Sequence, residues 1–235
     1  MLNNNTTFYP MKFTPVKKRA YLAICTILFV LITDQIIKVA VKTNMFLHEK
    51  IDVTSWFQIC FVENEGMAFG MDFIGTSILS IFRIVAVGFF SYLLAKTIRK
   101  EYPLGFIFCF SLVLAGAAGN IIDNCLYGLI FESSSIEYMG TAPASLVPLG
   151  EGYGQFLSGK VVDMFYFPLF VWPESWPLVG GDVFFSAIFN FADAAISCGA
   201  VAMLLFYHSY LSTNSESEEE QEETVAEDKK DSKKK

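Results

Sequence analysis

Four apolar stretches, at about residues 20–41, 77–95, 104–122 and 183–207, constrain this chain more than any other feature. Each approaches the roughly 20 residues that a helix needs to cross a hydrocarbon core. A soluble helix would break such runs with amphipathic periodicity, whereas the polar residues here are few and isolated. Hydrophobic residues make up 53% of the sequence and the mean hydropathy is +0.44, above the range of ordinary soluble domains. The expected fold is membrane α-helical, with four transmembrane helices.

Lys and Arg near the span ends set the orientation. Lys12, Lys17, Lys18 and Arg19 precede the first span, and Lys96, Arg99 and Lys100 lie between the second and third. The connection after the first span has only Lys42 and Lys50, and the long segment after the third has only Lys160. Both termini are therefore expected in the cytoplasm, with the two longer connections on the other side. The first stretch carries Asp34 and Lys38 and has no convincing small-residue cleavage site, so it reads as a retained span rather than a signal peptide. The net charge of −7 misleads about the fold, because residues 212–235 hold nine acidic and five basic residues. That tail has almost no apolar content and is expected to be disordered.

Outside the spans, KIDVTSWFQICFV and MAFGMDF alternate in polarity and read as two short strands joined by a Gly turn. They predict a small extracytoplasmic β-sheet. The stretch KVVDMFYFPLFVWPESWP is apolar and aromatic but interrupted by Pro168, Pro173 and Pro177, so it reads as an interfacial or re-entrant segment. Residues 1–19 form a cytoplasmic lead, 20–211 the membrane domain and 212–235 the tail. The five cysteines have no CxxC spacing, and three of them lie inside spans, which argues against a disulfide framework or zinc site.

A carboxylate inside a span is expensive, at roughly 2.5–3.5 kcal/mol on insertion scales. Asp34 and Lys38, spaced i,i+4, are expected to pair along the first helix, with Lys38 snorkelling to the interface. Arg83, early in the second span, reads the same way. Asp193 lies about ten residues, ~15 Å, into the fourth stretch, with Asn190 on the same face and no basic neighbour. It calls for a partner from another segment. Asp123 ends the third span after the small residues of AGAAG, three positions beyond Asn120. Asp163 sits in an apolar context, GKVVDMFYF, outside the spans.

Two carboxylates close together in a partly dry site titrate apart. The ionised one takes a proton from an attacking water while the other donates to a carbonyl oxygen, so peptide hydrolysis needs neither metal nor cofactor. GxSxG and HExxH are absent, and the two histidines, His48 and His208, sit at span margins. Two other readings stay open on the residues alone. A channel or transporter would use the intramembrane carboxylates for cations or protons, and an assembly protein would use them only to join helices. Neither gives Asp163 a task.

Read in order, five blocks resemble the lipoprotein signal peptidase (signal peptidase II) family. They are TDQIIK (Thr33 to Lys38), ENEGMAFG (Glu63 to Gly70), LAGAAGNIIDN (Leu114 to Asn124), VVDMFYF (Val161 to Phe167) and FNFAD (Phe189 to Asp193). The resemblance implies an integral aspartic endopeptidase of the bacterial inner membrane, active near its outer face. Asp163 and Asp193 would be the catalytic pair. Asn64, Asn120 and Asn190 would hydrogen-bond the substrate backbone or orient the pair, with Gly66, Asp34, Lys38 and Asp123 supporting the site. The implied substrates are diacylglyceryl-modified prolipoproteins, cut just before the lipidated Cys. Membrane lipid is the other expected partner, with no nucleic acid and no second subunit. Two departures stand out. The family commonly has Arg where this chain has Asn124, which leaves Asp123 in need of another donor. Forty positions separate Asp123 from Asp163, which points to an insertion around residues 131–158.

Overall fold

A computed structural model describes residues 14–65 and 76–210. Gly66, the expected MAFGMDF strand, most of the N-terminal lead and the acidic tail lie outside the described residues.

Helix α1 (Pro15–Asn44) starts at Thr14, whose side chain accepts from the Lys17 N–H at 3.4 Å, with Pro15 in the first turn. One stripe of α1 is buried: Ala23, Thr26 and Val30, then Asp34, Lys38 and Lys42. The 3–4 spacing keeps these residues on one face, and that face changes from apolar to ionic towards the C-terminal end. The opposite face exposes Tyr21, Leu28, Phe29, Ile32 and Ile36. Exposed apolar residues of this size on a long helix suit a lipid surround. Helix α2 (Thr76–Arg99) is exposed in the same way at Phe82, Val85 and Phe89.

Helix α3 (Leu104–Ile122) is the most enclosed, burying Phe106, Ile107, Phe110, Leu114 and Ala115. It continues through a π-helical turn, Asp123–Tyr127, into the short α4 (Gly128–Ile130). The wider turn buries two successive polar residues, Asp123 and Asn124. Such π turns recur at functional sites. Among the described residues, three helices, Pro15–Asn44, Ser80–Arg99 and Leu104–Ile130, are long and apolar enough to cross a membrane.

The fourth apolar stretch departs from expectation. The helix there, α5 (Phe191–Phe206), has 16 residues and begins eight positions later than the apolar run. Val183–Phe184 and Ile188–Phe189 are extended instead. The reason is local. Asn190 caps the helix and Asp193 caps it reciprocally, so the chain turns helical only at Phe191. Asp193 therefore occupies the first turn of α5 rather than its middle. The helix packs on α3 at close range. A Cβ on Gly116 would lie 2.2 Å from the Ala192 carbonyl oxygen, and one on Gly199 would lie 2.6 Å from that of Cys109.

The sheet is antiparallel, in the order β1 (Lys50–Thr54), β2 (Phe57–Asn64), β3 (Val161–Tyr166) and β6 (Ile188–Phe189). Its first hairpin forms entirely within KIDVTSWFQICFV, where one strand was expected. Val161–Tyr166, expected in an interfacial or re-entrant segment, is an inner strand of this sheet, buried at its first four residues. A register shift between Ile59 and Val62 sets Val62 opposite Asp163. Beyond β3, strands β4 (Phe170–Val171) and β5 (Val183–Phe184) form a separate aromatic hairpin, with Phe170 stacked on Phe184 at 4.7 Å.

Candidate active site

Asp163 projects from β3 and is 4% exposed. Its Oδ1 accepts from the Asn190 side-chain amide at 2.7 Å and its Oδ2 from that of Asn64 at 3.3 Å. Asn64 lies two residues beyond the partner of Asp163 on β2, a diagonal position on the same sheet face. The side chain of Asp193 reaches back over the first turn of α5. Its Oδ1 accepts from Asn120 at 2.7 Å and its Oδ2 from the Asn190 backbone N–H at 3.3 Å. Asn190 thus binds both carboxylates, one through its side chain and one through its backbone. Its amide also donates to Asn120 Oδ1 at 3.1 Å, which closes the ring of amides around the pair.

A second layer fixes the first. Lys38 Nζ donates to Asn120 Oδ1 at 2.8 Å and pairs with Asp34 at 2.9 Å and Asp123 at 2.8 Å. The expected Asp34–Lys38 pair therefore forms, but Lys38 is fully buried and does not snorkel. Its ammonium fixes Asn120 as an acceptor on Oδ1, which leaves the Nδ2 amide to donate to Asp193. Asp34 Oδ1 accepts from the Ala192 N–H at 2.9 Å and holds the start of α5 against α1. The donors of Asp123 are Lys38, Gln35 at 2.9 Å and the Val162 N–H at 3.3 Å on β3. Arg83 is half-buried. It donates from α2 to Asn124 Oδ1 at 2.9 Å.

Burial pushes the Asp163 carboxyl up to about 7, and the adjacent charge of Asp193 adds to the shift. Donation from Asn190 and Asn64 opposes it. Asp163 also lines an open cleft of about 440 Å³ with Asn64, Glu65, Ser186 and Ile188. Asn120 also lines an apolar cavity of about 280 Å³ between α2, α3 and α5. Two carboxyls bridged by one asparagine at the edge of an open cleft suit acid–base chemistry on a bound water.

The signal peptidase (SPase) II profile matches residues 26–209, which contain every residue of this cluster. The chain belongs to the signal peptidase II family. It is accordingly a peptidase. Relatives within that family include the lipoprotein signal peptidase of Porphyromonas gingivalis, 46% identical over 213 residues, covering 88% of this chain and 92% of the relative. That of Chlorobium phaeobacteroides is 30% identical over 192 residues, covering 79% and 89%. A bacterial membrane enzyme of known structure shares the fold with a TM-score of 0.53 at 23% identity, covering 81% of this chain and 90% of its own. The fold is thus that of a bacterial membrane enzyme.

Of the residues singled out in the sequence, Asp34, Lys38, Asn64, Asn120, Asp123, Asp163, Asn190 and Asp193 converge on one site. Gln35 and, next to the site, Lys42 were missed, and Arg83 was read only as a cation near a span end. Gln35 stands beside Asp34 and has the Tyr127 hydroxyl donating to its side-chain oxygen at 3.1 Å. Lys42 continues the Asp34–Lys38 stripe by one more turn, a spacing visible in the sequence. Arg83 had no sequence signal that would bring it to Asn124, because that contact is made between helices.

Proposed function

We propose that this family member hydrolyses the signal peptide of diacylglyceryl-modified prolipoproteins just before the lipidated Cys, with Asp163 and Asp193 activating the attacking water. The observation that carries the reading is the shared Asn190, which hydrogen-bonds both carboxyls. Asp163, raised to about 7, is the proton holder. Asp193 is the base. It accepts two hydrogen bonds in the first turn of α5, where the helix dipole favours a negative charge. Its carboxylate takes a proton from water, and Asp163 donates to the scissile carbonyl oxygen. The tetrahedral intermediate then collapses as Asp193 passes the water-derived proton to the leaving amine and Asp163 recovers its proton from the intermediate's hydroxyl.

In this reading α5 is a fourth span that crosses with help from its flanking segments. Lys17, Lys18, Arg19, Lys96, Arg99 and Lys100 lie at the cytoplasmic face with both termini. The sheet, the cleft and the aromatic hairpin then lie at the outer face. The lipid chains of the substrate stay in the bilayer while the scissile bond meets the carboxyl pair.

The test is cleavage of a diacylglyceryl-modified prolipoprotein in detergent by wild type, Asp163→Asn and Asp193→Asn. Wild type cleaves, and either variant loses at least about 10³-fold in kcat with unfolding temperatures near or above that of wild type. Cleavage by both variants at wild-type rates would overturn the assignment of the pair.

A further inference from the structure

Arg83 is a half-buried cation on a membrane helix, and such residues are rare without a functional partner. Among the described residues its one hydrogen bond is the 2.9 Å contact from Nη1 to Asn124 Oδ1. A guanidinium has five N–H donors, so most of them are unused among the described residues. Arg83 lines the apolar cavity of about 280 Å³ described above, whose wall includes Ala86, Val87, Ile121 and Ile196. Asn120, the donor to Asp193, lines the same cavity. One asparagine therefore separates the cavity between the helices from the carboxyl pair.

Shape and charge narrow the occupant. The aliphatic walls suit a hydrocarbon segment, and unused N–H donors beside them suit an oxygen acceptor. Asp193, held by Asn120 of the cavity wall, lies behind this lining and disfavours a second anion there, so the acceptor is neutral. We propose that Arg83 is a substrate-binding residue whose guanidinium donates to a carbonyl oxygen of the lipid-modified segment, on the membrane side of the carboxyl pair. That carbonyl is either an ester of the diacylglyceryl group or a backbone amide of the signal peptide. The inference rests on the reading of substrate given above. Asn124 orients the guanidinium, and its own amide is tied to the Gly159 carbonyl at 2.7 Å ahead of β3.

The experiment measures kcat and KM for wild type, Arg83→Gln and Arg83→Lys on two prolipoproteins, one carrying the diacyl ester lipid and one the dialkyl ether analogue. Loss of a charge-assisted hydrogen bond raises KM about ten- to hundred-fold. If the partner is the lipid ester, the ether substrate raises the wild-type KM by that factor and Arg83→Gln abolishes the difference between substrates. If it is a peptide carbonyl, Arg83→Gln raises KM equally on both. Arg83→Lys keeps the charge but not the planar fork and gives a smaller rise; it serves in place of Arg83→Gln if that variant does not fold. A KM unchanged on both substrates, whatever happens to kcat, overturns the role of Arg83 and leaves the carboxyl pair untouched. A wild type inert on both substrates overturns the substrate reading itself, and this inference falls with it.

Discussion

Asn190 and Asp193 cap the same helix reciprocally. The Asp193 N–H donates to Asn190 Oδ1 at 2.9 Å, and the Asn190 N–H donates to Asp193 Oδ2 at 3.3 Å. A capping box is ordinarily a device for helix stability. Here it also aims the Asn190 amide at Asp163, 2.7 Å away, so helix initiation and the assembly of the site are one event.

The two roles of Asn190 separate by substitution. Serine at position 190 retains an N-cap oxygen but cannot donate to both Asp163 and Asn120. Alanine loses the cap as well, at about 0.5–2 kcal/mol. Asn190→Ser is therefore expected to unfold near the wild-type temperature while losing about 10²-fold in kcat. Asn190→Ala loses similar activity and is also less stable. Thermal unfolding and single-turnover cleavage compared side by side decide the matter; full activity in Asn190→Ser would show that the amide bridge is dispensable.

The raised pKa of Asp163 makes a signed prediction. Its folded value of about 7 lies above the ordinary 3.8, so between these values the native chain holds a proton that the unfolded chain has released. Stability from this group is fully present below about pH 4 and is lost as pH rises through 7. Asp163→Asn removes the titration. Its unfolding temperature in detergent should exceed that of wild type by a margin that grows from pH 5 to pH 8 and then levels. In the activity profile, Asn64→Ala removes a donor that favours the ionised form, so the alkaline limb should move to higher pH. A stability margin that stays flat with pH, or an alkaline limb that moves down, would contradict the burial account of Asp163.

The spans were legible where composition alone decides. The expected 104–122 coincides with α3, and the expected 20–41 lies inside Pro15–Asn44. The fourth start was misplaced because hydropathy does not distinguish a β-strand from a helix, and Val183–Phe189 is apolar in either state. The correcting signal was present, since Asn190 followed three residues later by Asp193 is a capping pattern before an apolar run. β3 was obscured by its continuity with the aromatic Pro-rich stretch, although Pro168 marks where pairing with β2 and β6 ends. Most site residues were legible because a charge inside an apolar run demands a reason. Their pairing was not, since Lys38 with Asp123 and Asn190 with Asp163 are contacts across 85 and 27 positions respectively.

Gly116 tests how closely α3 and α5 must approach. An added Cβ meets a backbone oxygen, that of Ala192, at 2.2 Å, and the Ile196 side chain at 2.7 Å. Backbone cannot rotate away, so Gly116→Ala must separate the helices at the turn that carries Asp193. A loss of roughly 1–3 kcal/mol is expected from overpacking, with at least about tenfold lower kcat. Gly88 on α2 is the control, because its Cβ would meet nothing within 4 Å. Gly88→Ala should match wild type in activity and slightly exceed it in stability through helix propensity. Equal behaviour of the two variants would show that the α3–α5 contact is not tight.

The segment 131–158 is fastened to the rest of the protein through a buried cation. Lys42 is fully buried, with its Nζ on Glu63 and on Ser134 Oγ at 2.8 Å, and with the rings of Phe131 and Tyr153 at 5.4 and 5.1 Å. The Leu47 N–H donates to the Ser135 carbonyl at 2.9 Å beside it. Removing one partner of a buried ion pair strands the other, at about 3–5 kcal/mol, whereas replacing both by neutral groups restores much of the loss. Lys42→Met should therefore unfold at lower temperature and be cleaved faster by added protease within 131–158, and Lys42→Met with Glu63→Gln should recover on both counts. Glu63 precedes Asn64, the donor to Asp163, so loosening the pair should also lower kcat, and the double variant should regain part of it. Proteolysis of Lys42→Met at the wild-type rate, with unchanged stability, would mean that the segment is held by its backbone contacts alone and that Lys42 carries no structural load despite its burial.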